Sequence, residues 1–167
     1  HYLRIAQDGY FAEHSQVFFP LFPLLVKYFA LLFPKDLVLN TAIYTDPAFF
    51  YSGIILSNIF FLLALVLIYK LWRLDFKKEL SFRSIILLLI FPTAFYFGAI
   101  YTESLFLLLT VGAIYLLRRK KYFYSSLVIS LATATRLIGL FLVPLYLIEV
   151  YKRKDWKALF WVVIMPL

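Results

Sequence analysis

The sequence contains no cysteine, and only two of its 167 residues are histidine. Disulfide bonds and thiolate metal centres are therefore excluded, and two histidines are too few to form a metal site on their own. The five glycines do not form a glycine-rich loop of the kind that cradles the phosphates of a nucleotide. A site for a nucleotide sugar of the common types is thus disfavoured.

Charge is also scarce, since 16% of the residues are charged where a soluble domain carries about 25%. Hydrophobic residues make up 64% of the chain, and they occur in runs that approach the roughly 20 residues of helix needed to cross a bilayer. The composition predicts an all-α, polytopic transmembrane helical protein.

The apolar runs divide the chain into an N-terminal segment, 1–51, and a transmembrane helical bundle, 52–167. In the first segment, Pro20 and Pro23 precede a short apolar stretch, which predicts interfacial helices in a loop outside the membrane core. In the second, spans are predicted at about 52–72, 84–101, 104–117, 122–135 and 138–151, and another begins near 157. The span at 84–101 is broken by Pro92 and Gly98.

The net charge of +8 comes from basic clusters at 70–83, 118–121 and 152–157. These clusters lie at the ends of apolar runs, which favours cytoplasmic loops that contact membrane lipids over a nucleic-acid surface. All three can be cytoplasmic if 122–151 forms two short helices with a turn at 135–139; a single long tilted helix is the alternative. The segments 1–51, 98–104 and 135–139 would then lie outside.

Three charged residues stand out in the predicted outer segments. Glu103 is explained either as a carboxylate that favours the start of a helix or as a group that faces substrate, and the two are compatible. Arg136 interrupts an apolar stretch, either as an interfacial arginine or as a ligand for phosphate oxygens. Asp8 is either an exposed carboxylate or a general base.

Six strings occur in order along the chain: HYLRIAQDGY at 1–10, FFPLFPL at 18–24, LSN at 56–58, FPTAFYFGA at 91–99, YTESL at 101–105 and ATRLIG at 134–139. Together they resemble the PIG-V-like mannosyltransferases, the family of the second mannosyltransferase of glycosylphosphatidylinositol (GPI) biosynthesis and its prokaryotic relatives. That family belongs to the GT-C class of membrane glycosyltransferases.

The resemblance implies transfer of mannose, with inversion, from a polyprenyl- or dolichyl-phosphate donor to a glycolipid or glycan acceptor. The reaction would occur on the outer face of a prokaryotic plasma membrane or the lumenal face of the endoplasmic reticulum. A divalent metal would be compatible with this chemistry, although the sequence shows no ligand set for it, and the resemblance implies no other cofactor.

The resemblance also implies roles for individual residues. In the family, a Trp-Asp pair stands just before the string that begins at His1, and its acid is the expected base. His1 and Tyr2 would flank that acid, Tyr101 and Glu103 would line the site, and Arg136 would hold the donor phosphate. Asp8 does not occupy the position of that acid but is kept, with Glu103, as a catalytic candidate. We therefore expect the protein to be longer at both ends.

Two other functions fit a membrane protein of this kind. A transporter or flippase for lipid-linked sugars would also need a cationic residue near a broken helix, but the sequence shows no internal repeat. A non-catalytic membrane subunit would not need the polar strings of the outer segments.

Overall fold

The computed structural model describes residues 1–10, 18–33 and 46–165, and every regular element within these ranges is a helix. The predicted all-α class is thereby confirmed. Parts of the predicted outer segment, 11–17 and 34–45, lie outside the described residues. The α-helices are α1 (Tyr2–Asp8), α2 (Leu21–Ala30), α3 (Pro47–Trp72), α4 (Lys78–Ile90), α5 (Phe95–Gly98), α6 (Glu103–Arg118), α7 (Tyr122–Thr133) and α8 (Leu142–Arg153), and 3-10 helices span Leu137–Phe141 and Trp156–Ile164.

The longest helix, α3, begins at Pro47, earlier than the predicted start at residue 52. Asp46 caps it, because its Oδ1 accepts a hydrogen bond of 2.9 Å from the Ala48 amide, and Pro47 suits the first turn. Its 26 residues extend about 39 Å, which exceeds the bilayer core of about 30 Å. Within the described residues it is the one helix long and apolar enough to cross a membrane.

The segment 84–101, predicted as a span broken by Pro92 and Gly98, is indeed not one continuous helix. Helix α4 starts at Lys78 and ends at Ile90, and the single turn α5 follows after a break. Phe91 is extended, with ψ of 132°, because the ring of Pro92 disfavours helical backbone in the preceding residue. The chain therefore changes direction here before it reaches α6.

The long apolar stretch 122–151 is also broken. Helix α7 ends at Thr133, Arg136 has an extended backbone, and a 3-10 helix leads into α8. This break falls where the sequence predicted a turn. The number of membrane crossings inferred from that turn stays a prediction.

Two apolar clusters hold the helices together. The larger joins α6, α7, α8 and the last 3-10 helix, with Ile129 and Tyr146 at its centre. The smaller joins α1, α2, α3 and α6 through Ala6, Phe22, Val26, Leu56 and Leu105. Because α1 and α2 pack on α3 and α6 through this second cluster, the first residues of the chain are brought next to the start of α6.

Large apolar side chains remain on the outside of the bundle. Leu62, Ile90 and Phe141 are 62%, 72% and 76% exposed, and many others are similar. So many exposed apolar side chains are typical of a surface that lipid or further protein covers.

The basic clusters at 70–83 and 118–121 lie against each other at the end of the bundle opposite the start of α6. Arg118 donates a hydrogen bond of 2.6 Å to Asp75, across the C-terminal ends of α6 and α3. The pKa of Arg118 is raised chiefly because this bond favours the charged guanidinium. The structure therefore separates a basic end from the end that carries the family strings.

Candidate functional site

A cavity of about 520 Å³ lies where the start of α1 meets the segment before α6. The residues around it come from three distant parts of the sequence: His1, Tyr2, Leu3, Arg4, Phe18, Ile100 and Tyr101. Three residues predicted to contact substrate, His1, Tyr2 and Tyr101, therefore line one cavity.

Aromatic rings form much of the cavity wall. The ring of Phe18 stacks on His1 at a centroid distance of 5.2 Å and meets the edge of Tyr2 at 5.0 Å. Tyr96 packs against Tyr101 from outside the cavity, at 5.9 Å. These contacts fix the rings at the offset-stacked and edge-to-face distances that aromatic pairs prefer.

Tyr10 holds the backbone of Phe18, which lines the cavity, in place. Its hydroxyl donates a hydrogen bond of 2.7 Å to the Phe18 carbonyl oxygen. Burial raises the pKa of Tyr10, and the nearby Tyr2 adds to the shift. The phenol therefore stays protonated, as a donor, to a higher pH than an ordinary tyrosine.

Glu103 and Arg136, which are 33 residues apart in sequence, form an ion pair, with Arg136 Nη1 at 2.9 Å from Glu103 Oε1. Their side chains are 30% and 38% exposed, so the pair is partly shielded from water. Glu103 lies in the first turn of α6, where the helix dipole favours a carboxylate. The guanidinium also lies 5.9 Å from the centroid of the Phe106 ring.

Local backbone contacts hold Arg136 in its extended conformation. Its amide donates to the Ala132 carbonyl oxygen at 3.1 Å, and its own carbonyl oxygen accepts from the Gly139 amide at 2.8 Å. Thr135 is buried, and its hydroxyl donates to the same Ala132 oxygen at 2.6 Å. The break after α7 is thus a closed hydrogen-bonded turn that presents the Arg136 side chain to α6.

Gly139 permits this turn because it lies directly against the end of α7. A Cβ atom at Gly139 would lie 2.6 Å from the Thr133 nitrogen and 2.8 Å from the Ala132 oxygen. These are backbone atoms, which cannot rotate away. Glycine is therefore required here for close approach.

The predicted site residues fall into two neighbouring groups and one outlier. His1, Tyr2 and Tyr101 line the cavity, whereas Glu103 and Arg136 form the ion pair that begins two residues after Tyr101. The outlier is Asp8, whose carboxylate lies 3.9 Å from Arg4 on an exposed face of α1. Asp8 is not among the residues that line the cavity.

Four cavity residues were not predicted as site residues from the sequence: the apolar Leu3 and Ile100, and also Arg4 and Phe18. Arg4 was treated only as one charged residue of a polar segment. Residues three apart lie on the same face of a helix, so Arg4 could have been expected on the same side as His1. Phe18 was included in the apolar stretch that leads to α2. Both Arg4 and Phe18 lie within strings that resemble the family, and this could have marked them as candidate site residues.

A divalent metal has no evident ligand set in the part of the chain that the structure describes. No three histidine, aspartate or glutamate side chains come together there in a way that could hold a cation.

The family model described as "Mannosyltransferase (PIG-V)" matches residues 1–160 of the chain. The chain belongs to the PIG-V mannosyltransferase family. The resemblance inferred from the six strings is thereby confirmed, and the match covers both the cavity and the ion pair. No solved structure matches the chain.

Three mammalian members of the family show the extent of the similarity. The human protein named GPI alpha-1,6-mannosyltransferase 2 is 35% identical over 143 residues, which is 84% of this chain and 28% of the human protein. Proteins of the same name from Cricetulus griseus and Rattus norvegicus are 34% and 33% identical over the same shares. The chain thus spans little more than a quarter of the length of these relatives.

Proposed function

We propose that this chain is part of a membrane mannosyltransferase that uses a polyprenyl- or dolichyl-phosphate mannose donor. The acceptor is a hydroxyl of a glycolipid or glycan on the non-cytoplasmic face. Family membership supports mannosyl transfer, and the relatives, which are named GPI mannosyltransferases, support a glycolipid acceptor. The observation that carries the proposal is the meeting of an aromatic cavity and a glutamate–arginine pair at one end of α6.

The cavity has the size and lining that a sugar ring needs. Its volume of about 520 Å³ falls within the roughly 300–1,000 Å³ of small-molecule sites. Aromatic side chains offer an apolar face to the C–H groups of a sugar, while the polar groups of His1, Tyr2 and Tyr101 can bond its hydroxyls. Arg4 adds a positive charge at the wall.

Arg136 is assigned to the donor phosphate. A guanidinium has five N–H donors in a planar fork, and the bond to Glu103 uses one of them. The remaining donors belong to a side chain that is 38% exposed, so phosphate oxygens can reach them. Glu103 holds the guanidinium in place and offsets its charge while no substrate is bound.

The reaction joins these two groups of residues. A carboxylate removes the proton of the acceptor hydroxyl, the oxygen forms a bond to the anomeric carbon, and the bond from that carbon to the phosphate oxygen breaks. Lipid phosphate leaves with the negative charge, which Arg136 stabilises. We assign the role of base to the acid that the family pattern puts just before the His1 string, because Asp8 is not among the residues that line the cavity.

The membrane setting follows from the same chemistry. The lipid chain of the donor stays in the bilayer, and the exposed apolar surface around α3 suits an integral, multi-pass protein. We assign the cavity end to the outer face, in a prokaryotic plasma membrane or the endoplasmic reticulum, because the basic clusters lie at the opposite end.

The test is transfer of mannose from a synthetic polyprenyl-phosphate mannose by the full-length protein in vesicles. We expect Arg136→Ala to lower the rate by about 10²-fold or more, as expected when a donor that stabilises the leaving charge is removed. Arg118→Ala is the matched control: this residue is also a half-exposed arginine paired with a carboxylate, but at the basic end, and transfer should persist.

Two results would contradict the proposal. Undiminished transfer by the Arg136→Ala protein would remove this arginine from the mechanism. If the unaltered protein transfers no mannose but moves the lipid-linked sugar across the vesicle membrane, the alternative function as a transporter or flippase would be favoured.

A further inference from the structure

Gly53, in the second turn of α3, lies directly behind the cavity wall. A Cβ atom at this position would lie 2.8 Å from Ile100 Cγ2 and 3.0 Å from Leu3 Cδ2. Ile100 and Leu3 both line the cavity on their other side. The backbone of α3 therefore supports two cavity residues that belong to different parts of the chain.

The glycine is present for space and not for backbone freedom. Gly53 lies inside a regular helix without a positive φ, a conformation that any residue adopts. Glycine inside a helix costs about 0.5–1 kcal/mol relative to alanine. Its local effect is thus unfavourable, and its benefit must come from the close approach of Leu3 and Ile100.

A second contact fixes the same segment to α3. The Asn58 side-chain amide donates to the Gly98 carbonyl oxygen at 3.3 Å while also donating to Ile54 of its own helix at 2.8 Å. Segment 98–101 is therefore held against α3 at Gly98 and at Ile100. Tyr101, the next residue, is placed by the same contacts.

We propose that Gly53 determines the depth of the cavity and, through Ile100, the position of Tyr101, so that it governs how tightly the sugar substrate is bound. This inference rests on the proposed mannosyl transfer. An added methyl would push Ile100 towards the cavity, because Cγ2 is attached directly to Cβ and cannot swing aside as the end of a long side chain can. Leu3 has that freedom and yields more easily.

The experiment compares steady-state transfer by the full-length protein with transfer by its Gly53→Ala variant. We expect the KM for the lipid-phosphate sugar or for the acceptor to rise about tenfold, as for a misplaced methyl group in a specificity pocket. The value of kcat should change less than about threefold, because Gly53 touches no reacting atom.

Two further variants separate positioning from folding. Gly112→Ala is the matched control, since its Cβ would meet Leu67 and Val128 at 3.5 and 3.8 Å, which are ordinary contacts, and KM should stay unchanged. Adding Ile100→Leu to Gly53→Ala removes the branch at Cβ while conserving side-chain volume. This double variant should recover most of the lost affinity.

The possible results distinguish failure of the inference about Gly53 from failure of the proposed function. An unchanged KM in the Gly53→Ala protein, or a loss of folded protein and of kcat without a rise in KM, would overturn the inference while leaving the proposed function intact. A rise in KM that Ile100→Leu does not reverse would overturn the assigned route through Ile100. Failure of the unaltered protein to transfer mannose would instead contradict the proposed function, and this inference with it.

Discussion

Replacing Gly139 with alanine should destabilise the turn that presents Arg136. The new Cβ would lie 2.6–2.8 Å from backbone atoms of Ala132 and Thr133. Carbon contacts are favourable at about 3.5–4.0 Å, so the turn and the end of α7 must separate by roughly 0.7 Å or more. That movement would strain the bond of 2.8 Å between the Gly139 amide and the Arg136 carbonyl oxygen.

The size of the effect follows from this geometry. Adding a methyl group to a packed interior costs about 1–3 kcal/mol, and the upper part of this range applies because backbone atoms cannot rotate away. Gly112→Ala is the contrasting case, with nearest contacts of 3.5 and 3.8 Å inside α6. There alanine should raise the free energy of unfolding by about 0.4–1 kcal/mol, because it restricts the unfolded chain.

The assay is thermal unfolding of both variants of the full-length protein in one detergent, followed by transfer activity at a temperature where both are folded. We expect Gly139→Ala to unfold at a lower temperature than the unaltered protein, and Gly112→Ala to match or exceed it. Transfer should fall in the first variant because Arg136 moves. Equal unfolding temperatures for the two variants would refute the argument from close approach.

Two other predictions concern the ion pair and the topology. Glu103→Gln and Arg136→Gln should each destabilise the protein, and the double variant should lose less than the sum, with a coupling of about 0.5–3 kcal/mol in thermal unfolding. Cysteines placed at the exposed positions Ile138 and Lys152 should report opposite faces: an impermeant thiol reagent added to intact cells should label the first and spare the second.

Each of these has its own control. A cycle on Asp75 and Arg118, a pair of similar exposure at the basic end, should show coupling in stability without loss of transfer. Additive losses at Glu103 and Arg136 would mean that the ion pair is not formed in solution. Labelling at Lys152 but not at Ile138 would overturn the assigned orientation and the paired short helices at 122–151.

The sequence predicted helix positions well where a run was apolar and uninterrupted, as in α6, and less well at the start of α3. The start of α3 was missed because aromatic residues before Ser52 were assigned to the outer segment, although Asp46 followed by Pro47 is a clear start signal. The interruption at Pro92 was predicted, and α4 ends at Ile90, just before it, because the proline ring disfavours helical backbone at Phe91.

The candidate site shows a similar division. Arg136 and Glu103 stood out in the sequence because charge is rare in apolar segments, but nothing local indicated that they pair across 33 residues. Asp8 was retained as a candidate because it is a carboxylate in the polar segment that opens the chain. In the structure Asp8 lies 3.9 Å from Arg4, which lines the cavity, but Asp8 itself is not among the lining residues.

The sequence by itself determined that the chain is all-helical and belongs to the PIG-V family, because composition and ordered strings are properties of the chain alone. Tertiary structure alone decided that Leu3 and Ile100 meet over Gly53, and that Gly139 lets the turn after α7 approach its last residues. The sequence alone does not distinguish a glycine that is needed for close packing from one that is not. The difference depends on which atoms occupy the space where a side chain would be. That space is defined only when distant segments have packed.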